Sequence, residues 1–202
     1  RAAVALRENG YEGPVTLVTG ESHAPYDRPP LSKAVITDAD HPSPPFLTDE
    51  ATLKSINVDL IAGARATDLD LSSHKLTLEE GRTITYAKLL IATGANPRRL
   101  SLPGSNSAKI HYLRNFEDAL ALRGALGPDK HLIVIGGGFI GLEVAASATK
   151  RGATVTLIEG LPRILSRGVP AEIAEIVTAR HVSAGVDIQC GTGLAGFAER
   201  DD

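Results

Sequence analysis

Gly136, Gly138 and Gly141 stand in the spacing Gly-x-Gly-x-x-Gly, between the apolar run HLIVI at 131–135 and a stretch of helical spacing. Each glycine has a mechanical task. Gly136 permits a tight turn out of a strand, Gly138 lets a ligand approach the main chain, and Gly141 lets the following helix lie close on the strand. The amides of that helix, beginning with Phe139 and Ile140, and the positive end of its dipole then face outward, which suits a diphosphate. Glu159 ends the next apolar stretch, TVTLIE. A carboxylate there accepts hydrogen bonds from both hydroxyls of an adenosine ribose and repels a 2′-phosphate, so NADH is favoured over NADPH. Arg163 and Arg167 follow closely and leave a phosphate-binding alternative open. A glycine turn without a ligand is the other alternative, and the conjunction of strand, helix and acid weighs against it. Glu143 lies near the first turn of the helix, where its charge suits the dipole.

These residues need a strand and helix framework, and the pattern supplies one. From 131 onward the sequence predicts strand, turn, helix (139–151), strand (154–158), loop, helix (about 170–184) and a strand from Val186, the alternation of a parallel sheet. NFEDALALRGALG, before it, has helical spacing and a glycine stop. The proline- and glycine-rich segment 95–107 reads as a domain connection. In the first half, RAAVALRENGYEG reads as the back of a helix, VTLV at 15–18 as a strand, 33–36 and 49–55 as short helices, and 37–45 as a surface connection. The alternating segments VDLIAG, RATDLDLSS, HKLTLEEG and RTITYAKLLIATG predict a β-meander followed by a buried strand.

Composition narrows the classes of function. With 43% hydrophobic and 22% charged residues and a net charge of −3, the chain lacks the basic surface of a nucleic-acid binder. It has no apolar run of membrane-spanning length and no signal-peptide pattern at its start, so no membrane partner and a cytoplasmic setting are expected. Cys190 stands alone, which rules out an internal disulfide or Cys-x-x-Cys redox pair, and a buried, inert thiol is expected. The six histidines, at 23, 41, 74, 111, 131 and 181, have no ligand spacing, so no metal site is expected. Ser32 and Ser166 lack a glycine elbow. Any electrons must therefore travel on a cofactor.

PYDRPPLSK (25–33), YAKLLIATGANPR (86–98), YLRNFEDA (112–119), VIGGGFIGLEVAA (134–146) and VTLIEGLPRILSR (155–167) are collinear, and together they resemble the FAD-dependent ferredoxin reductases, the NADH-oxidising components of oxygenase systems within the pyridine nucleotide-disulfide oxidoreductase superfamily. The resemblance implies an α/β fold: an incomplete Rossmann-like FAD domain at 1–98 and a Rossmann-like NAD domain at 99–202. It implies that Arg28, Pro29 and Lys33 line the flavin, that Ala66 contacts the adenine end, that Thr93 and Gly94 pass near the FAD phosphates, and that Arg114 also contacts FAD. It further implies that Arg167 contacts NADH. Glu143 would meet Lys33 beside the nicotinamide as the catalytic pair, with a domain-bridging salt bridge as the plainer reading.

The sequence departs from that family's pattern in three places. The first glycine fingerprint is absent, and so are the later Gly-Asp segment and the interface domain. The acid expected after VTLV is displaced, with Thr19 and Gly20 first and Glu21 as a candidate. A fragment is therefore expected. The function implied is an NADH-dependent flavoprotein reductase passing electrons from FAD to a ferredoxin or rubredoxin. The alternatives are an NADH oxidase, a nitrite reductase flavoprotein, or a non-catalytic NADH-binding protein resembling apoptosis-inducing factor.

Overall fold

The computed structural model describes residues 1–38 and 42–198; His41, part of the 37–45 connection and the last residues of the C-terminal segment lie outside them. In chain order the elements are α1 (Ala2–Glu8), β1 (Val15–Val18), a 3₁₀ turn (Pro29–Ser32), α2 (Ala34–Thr37), α3 (Glu50–Ser55), β2 (Val58–Ile61), β3 (Ala66–Asp70), β4 (Lys75–Leu78) and β5 (Thr83–Thr85). Then follow α4 (Phe116–Ala125), β6 (His131–Ile135), α5 (Phe139–Lys150), β7 (Thr154–Glu159), α6 (Ala171–Ser183) and β8 (Val186–Cys190). Packing divides the chain into two compact units, 1–27 with 44–95 and 28–43 with 96–202.

In the first unit β1 and β2 pair in parallel, Val15 opposite Val58, while β3, β4 and β5 form an antiparallel meander. VDLIAG is thus not part of the meander expected from its alternation. It belongs to a parallel pair reached through α3, whose N-terminus Asp49 caps by accepting from the Thr52 amide at 2.7 Å. One guanidinium ties this unit together: Arg7 donates to the carbonyls of Ile56 (2.8 Å), Gly13 (2.8 Å) and Asn57 (2.6 Å). The buried strand expected at the end of RTITYAKLLIATG does not form. Leu90 and Ile91 are 70% and 65% exposed, and among the described residues no strand lies alongside them. Apolar character alone does not make a strand, because its main-chain groups need a hydrogen-bonding neighbour.

The second unit carries the parallel sheet β6–β7–β8 in sequence order, with α5 and α6 as the crossovers. Its elements match the predicted ones to within about two residues at each end, as helix ends usually do. Leu157 and Ile164 are fully buried, and so is Ile36 of α2, which joins this core and explains why 28–43 packs here. Burying each such aliphatic side chain stabilises the unit by about 1.5–3 kcal/mol. Arg123 of α4 fixes α2 by donating to the carbonyls of Ile36 (2.8 Å) and Asp38 (2.6 Å). Cys190 packs against the core but is only half-buried, less enclosed than expected, because it ends an outer strand of this sheet.

The closest approach in the unit is at Gly141. A Cβ there would sit 2.1 Å from the Gly136 carbonyl oxygen, whereas one on Gly124 in α4 would meet nothing within 4 Å. Gly141→Ala is therefore expected to lose at least about 2 kcal/mol, since the obstacle is main chain and cannot rotate away. Gly124→Ala should instead gain about 0.5–1 kcal/mol from helix propensity. Urea unfolding of both variants checks the contrast.

Candidate functional site

The turn between β6 and α5 is built as the spacing requires. Gly136 has φ +106°, a left-handed conformation that glycine adopts without strain. Gly138 is the N-cap of α5, makes no side-chain cap, and has open space where a Cβ would stand. Phe139 and Ile140, the first helical residues, are exposed. The uncapped amides of a twelve-residue helix thus start beside the open space at Gly138. Gly137, an unassigned position in the spacing, is constrained as well, since a Cβ would lie 2.8 Å from Cγ2 of Ile164. No spacing in the sequence signals this, because Ile164 comes from the loop after β7.

Glu159 ends β7 beside the turn. One carboxylate oxygen accepts from the Gly137 amide at 2.7 Å and the other from the Leu161 amide at 2.8 Å. A carboxylate has about four acceptor positions, so capacity remains for a diol. The loop 161–169 closes against the turn, with the Leu165 amide donating to the Gly137 carbonyl at 2.8 Å. Of the two arginines there, Arg163 is engaged internally, donating to the Val169 (3.0 Å) and Ile164 (3.2 Å) carbonyls, while Arg167 is exposed.

Lys33 and Glu143 meet. Lys33 Nζ lies 2.8 Å from Glu143 Oε2, with the two side chains 51% and 33% exposed. The same oxygen accepts from Ser32 Oγ at 2.5 Å. Both residues of the pair belong to the second compact unit. Glu143 is the fifth residue of α5, beyond the first turn, which corrects the dipole reading: macrodipole effects fade within one turn, and its partners are Lys33 and Ser32. An ion pair this exposed is worth only about 0–1 kcal/mol of stability, so its interest lies in position.

Arg28 and Arg114 also come together, Arg28 Nη1 donating to the Arg114 carbonyl at 2.6 Å. The Arg114 amide is held in turn by Asp118, which accepts from it at 2.8 Å and closes a capping box with Asn115 at the start of α4. Pro29 opens the 3₁₀ turn that carries Ser32 up to Lys33. Ala66 starts β3, while Thr93 and Gly94 lie in the irregular segment after the meander; all three are exposed residues of the first unit. Glu21 follows β1, and its carboxylate accepts from the Tyr26 hydroxyl. Among the described residues no cluster of His, Cys, Asp or Glu has the arrangement of a metal site, and no helix is long and apolar enough to cross a membrane.

A parallel α/β unit with a glycine turn, an uncapped helix and an acid at the next strand end defines a Rossmann-type nucleotide-binding fold. The chain belongs to the pyridine nucleotide-disulphide oxidoreductase family, whose profile matches residues 1–202. It is 39% identical over 200 residues to the benzene 1,2-dioxygenase system ferredoxin–NAD(+) reductase subunit of Pseudomonas putida, covering 97% of this chain and 48% of that one. It is 38% identical over 200 residues to a rubredoxin-NAD(+) reductase of the same organism, covering 99% and 52%. Among solved structures, a ferredoxin reductase from Rhodopseudomonas palustris superposes with a TM-score of 0.94 at 37% identity, covering 99% of this chain and 49% of that one. The chain thus spans about half the length of the curated relatives it matches.

Burial pushes the Glu143 carboxyl up, but hydrogen bonds from Lys33 and Ser32 and the Lys33 charge outweigh it and hold the group below its ordinary value. A carboxyl with a lower pKa folded than unfolded contributes stability that is full above the unfolded value and is lost as pH falls through the folded one. The melting temperature of the wild-type chain should therefore fall more steeply than that of Glu143→Gln below about pH 4.3, the ordinary glutamate value. Parallel curves through the acid range would contradict this account.

Proposed function

We propose that this chain is part of an NADH-dependent flavoprotein reductase that transfers hydride from NADH to FAD and delivers electrons to a ferredoxin or rubredoxin serving an oxygenase. The observation that carries this reading is the second unit's combination of an open glycine turn at α5 with the Lys33–Glu143 pair one turn further along the same helix. The relatives named for ferredoxin and rubredoxin reduction support the choice of acceptor. In this reading residues 1–98 are part of the FAD-binding domain and 99–202 the NAD-binding domain. The setting is cytoplasmic, where NADH is regenerated, and the net charge of −3 supports partners other than nucleic acid.

The glycine turn and its acid fit a dinucleotide. The space at Gly138 and the free amides at Phe139, Ile140 and Gly141 suit a diphosphate, with Glu159 placed for the ribose and Arg167 exposed on the adjoining loop. Arg163 is tied to main-chain carbonyls, which favours NADH over NADPH. FAD would be held by Arg28, Pro29, Lys33 and Arg114, and Ala66, Thr93 and Gly94 are the further FAD contacts that the resemblance implies. Bound flavin accepts two electrons together and releases them singly, which is the chemistry such a reductase needs. Lys33 presents positive charge where electron density would accumulate, and Glu143 fixes the direction of that charge.

The test is anaerobic mixing of full-length protein with NADH. Loss of flavin absorbance, followed by cytochrome c reduction that requires added ferredoxin or rubredoxin, is the expected outcome. Bleaching without acceptor-dependent output would favour an oxidase instead. Glu159→Gln should lower kcat/KM for NADH by about tenfold, through weakened hydrogen bonds to the ribose, and should narrow the preference over NADPH. Steady-state kinetics with the two coenzymes measure it.

A further inference from the structure

Ser32 and Ser147 are the two buried polar residues among the described ones, 4% and 5% exposed, and they are joined to each other. Ser147 Oγ donates to the Ser32 carbonyl at 2.7 Å, and Ser32 Oγ donates to Glu143 Oε2 at 2.5 Å. Glu143 and Ser147 are four residues apart on α5 and therefore share one face of it. One helix thus grips Ser32 at two points, by its carbonyl and by its hydroxyl. Lys33 follows directly in the chain, so where its ammonium projects depends on how Ser32 is held. A buried hydroxyl is costly unless paired, and each of these pairs inside this one relay.

We propose that Ser32 and Ser147 are positioning residues that aim the Glu143 carboxylate at Lys33, Ser32 acting directly and Ser147 through the Ser32 main chain. Neither serine needs to touch a cofactor. Lys33 and Ser32 both donate to the same oxygen of Glu143 while burial opposes its charge, so the hydroxyl adds a second, buried hydrogen bond to the one from the exposed lysine. The relay deepens the reductase reading, on which its kinetic arm rests, while its titration arm stands without it.

The experiment uses the full-length flavin-loaded protein with 13C-labelled glutamate, the Glu143 resonance being the one that disappears in Glu143→Gln. Ser32→Ala is expected to raise the Glu143 titration midpoint. Ser147→Ala should move it less and in the same direction, and Ser147→Thr, which keeps the hydroxyl, should restore it. In stopped-flow reduction by NADH, Ser32→Ala should slow the limiting rate about tenfold with less than about a twofold change in NADH Kd, the size expected for losing a hydrogen bond to a charged group. Adding Ser32→Ala to Glu143→Gln should slow the reaction no further, since the hydroxyl acts through that carboxylate. An unchanged midpoint in both alanine variants would overturn the proposal, as would effects of Ser32→Ala and Glu143→Gln that simply multiply. If Ser147→Ala does not fold, Ser32→Ala and Ser147→Thr decide. If wild-type flavin is not reduced by NADH, the reductase reading fails and the titration alone judges the relay.

Discussion

The closeness of α5 to the sheet at Gly141 governs the rest of the second unit. There the main chain of the helix comes so near the Gly136 carbonyl that no side chain fits between them. That approach is what lets Leu142, Ala145 and Ala148 bury against β6 and β7. It also fixes the rotation of the helix. With that face inward, the uncapped amides point into the open turn, and Glu143 and Ser147 point toward the 3₁₀ turn at Pro29–Ser32.

A second constraint follows from the first. The short α2 cannot be stable alone at four residues. It is held by Ile36 in the core and by carbonyl bonds from Arg123, and Lys33 stands at its N-terminal boundary. Arg28, four residues before Ser32, is anchored through Arg114 to the capping box of α4. The segment 28–38 is therefore pinned at both ends and in the middle by the unit carrying the glycine turn. This economy of contacts explains how a loop rich in proline holds a charged side chain in one direction.

The half-exposed ion pair contributes little to stability, and the buried serines beneath it explain why its geometry is nevertheless defined. Exposed charges on long side chains usually sample several arrangements. A carboxylate that also accepts from a buried hydroxyl loses that freedom, and its partner lysine inherits the restriction. In the proposed reductase this separates the group that presents charge from the groups that direct it.

The sequence by itself determined the second unit's strand and helix order, because each period there is long and punctuated by glycine or by a capping residue such as Asn115. It also determined the glycine turn and its acid, whose chemistry is local, and the matched loop that put Lys33 and Glu143 forward as a pair. Tertiary structure alone decided the rest. VDLIAG pairs in parallel with β1, and Leu90 and Ile91 stay unpaired, because a strand is a relation between two segments and its alternation does not name the partner. Gly137 is constrained by Ile164, and Arg163 is turned inward to its own loop, through contacts no spacing encodes. In the sequence Ser32 is only a hydroxyl without a glycine elbow, and nothing links it to Ser147, more than a hundred positions away. Only folding removes them from water, and a hydroxyl without water must find a partner, which here joins Ser147 to the Ser32 carbonyl and Ser32 to the Glu143 carboxylate.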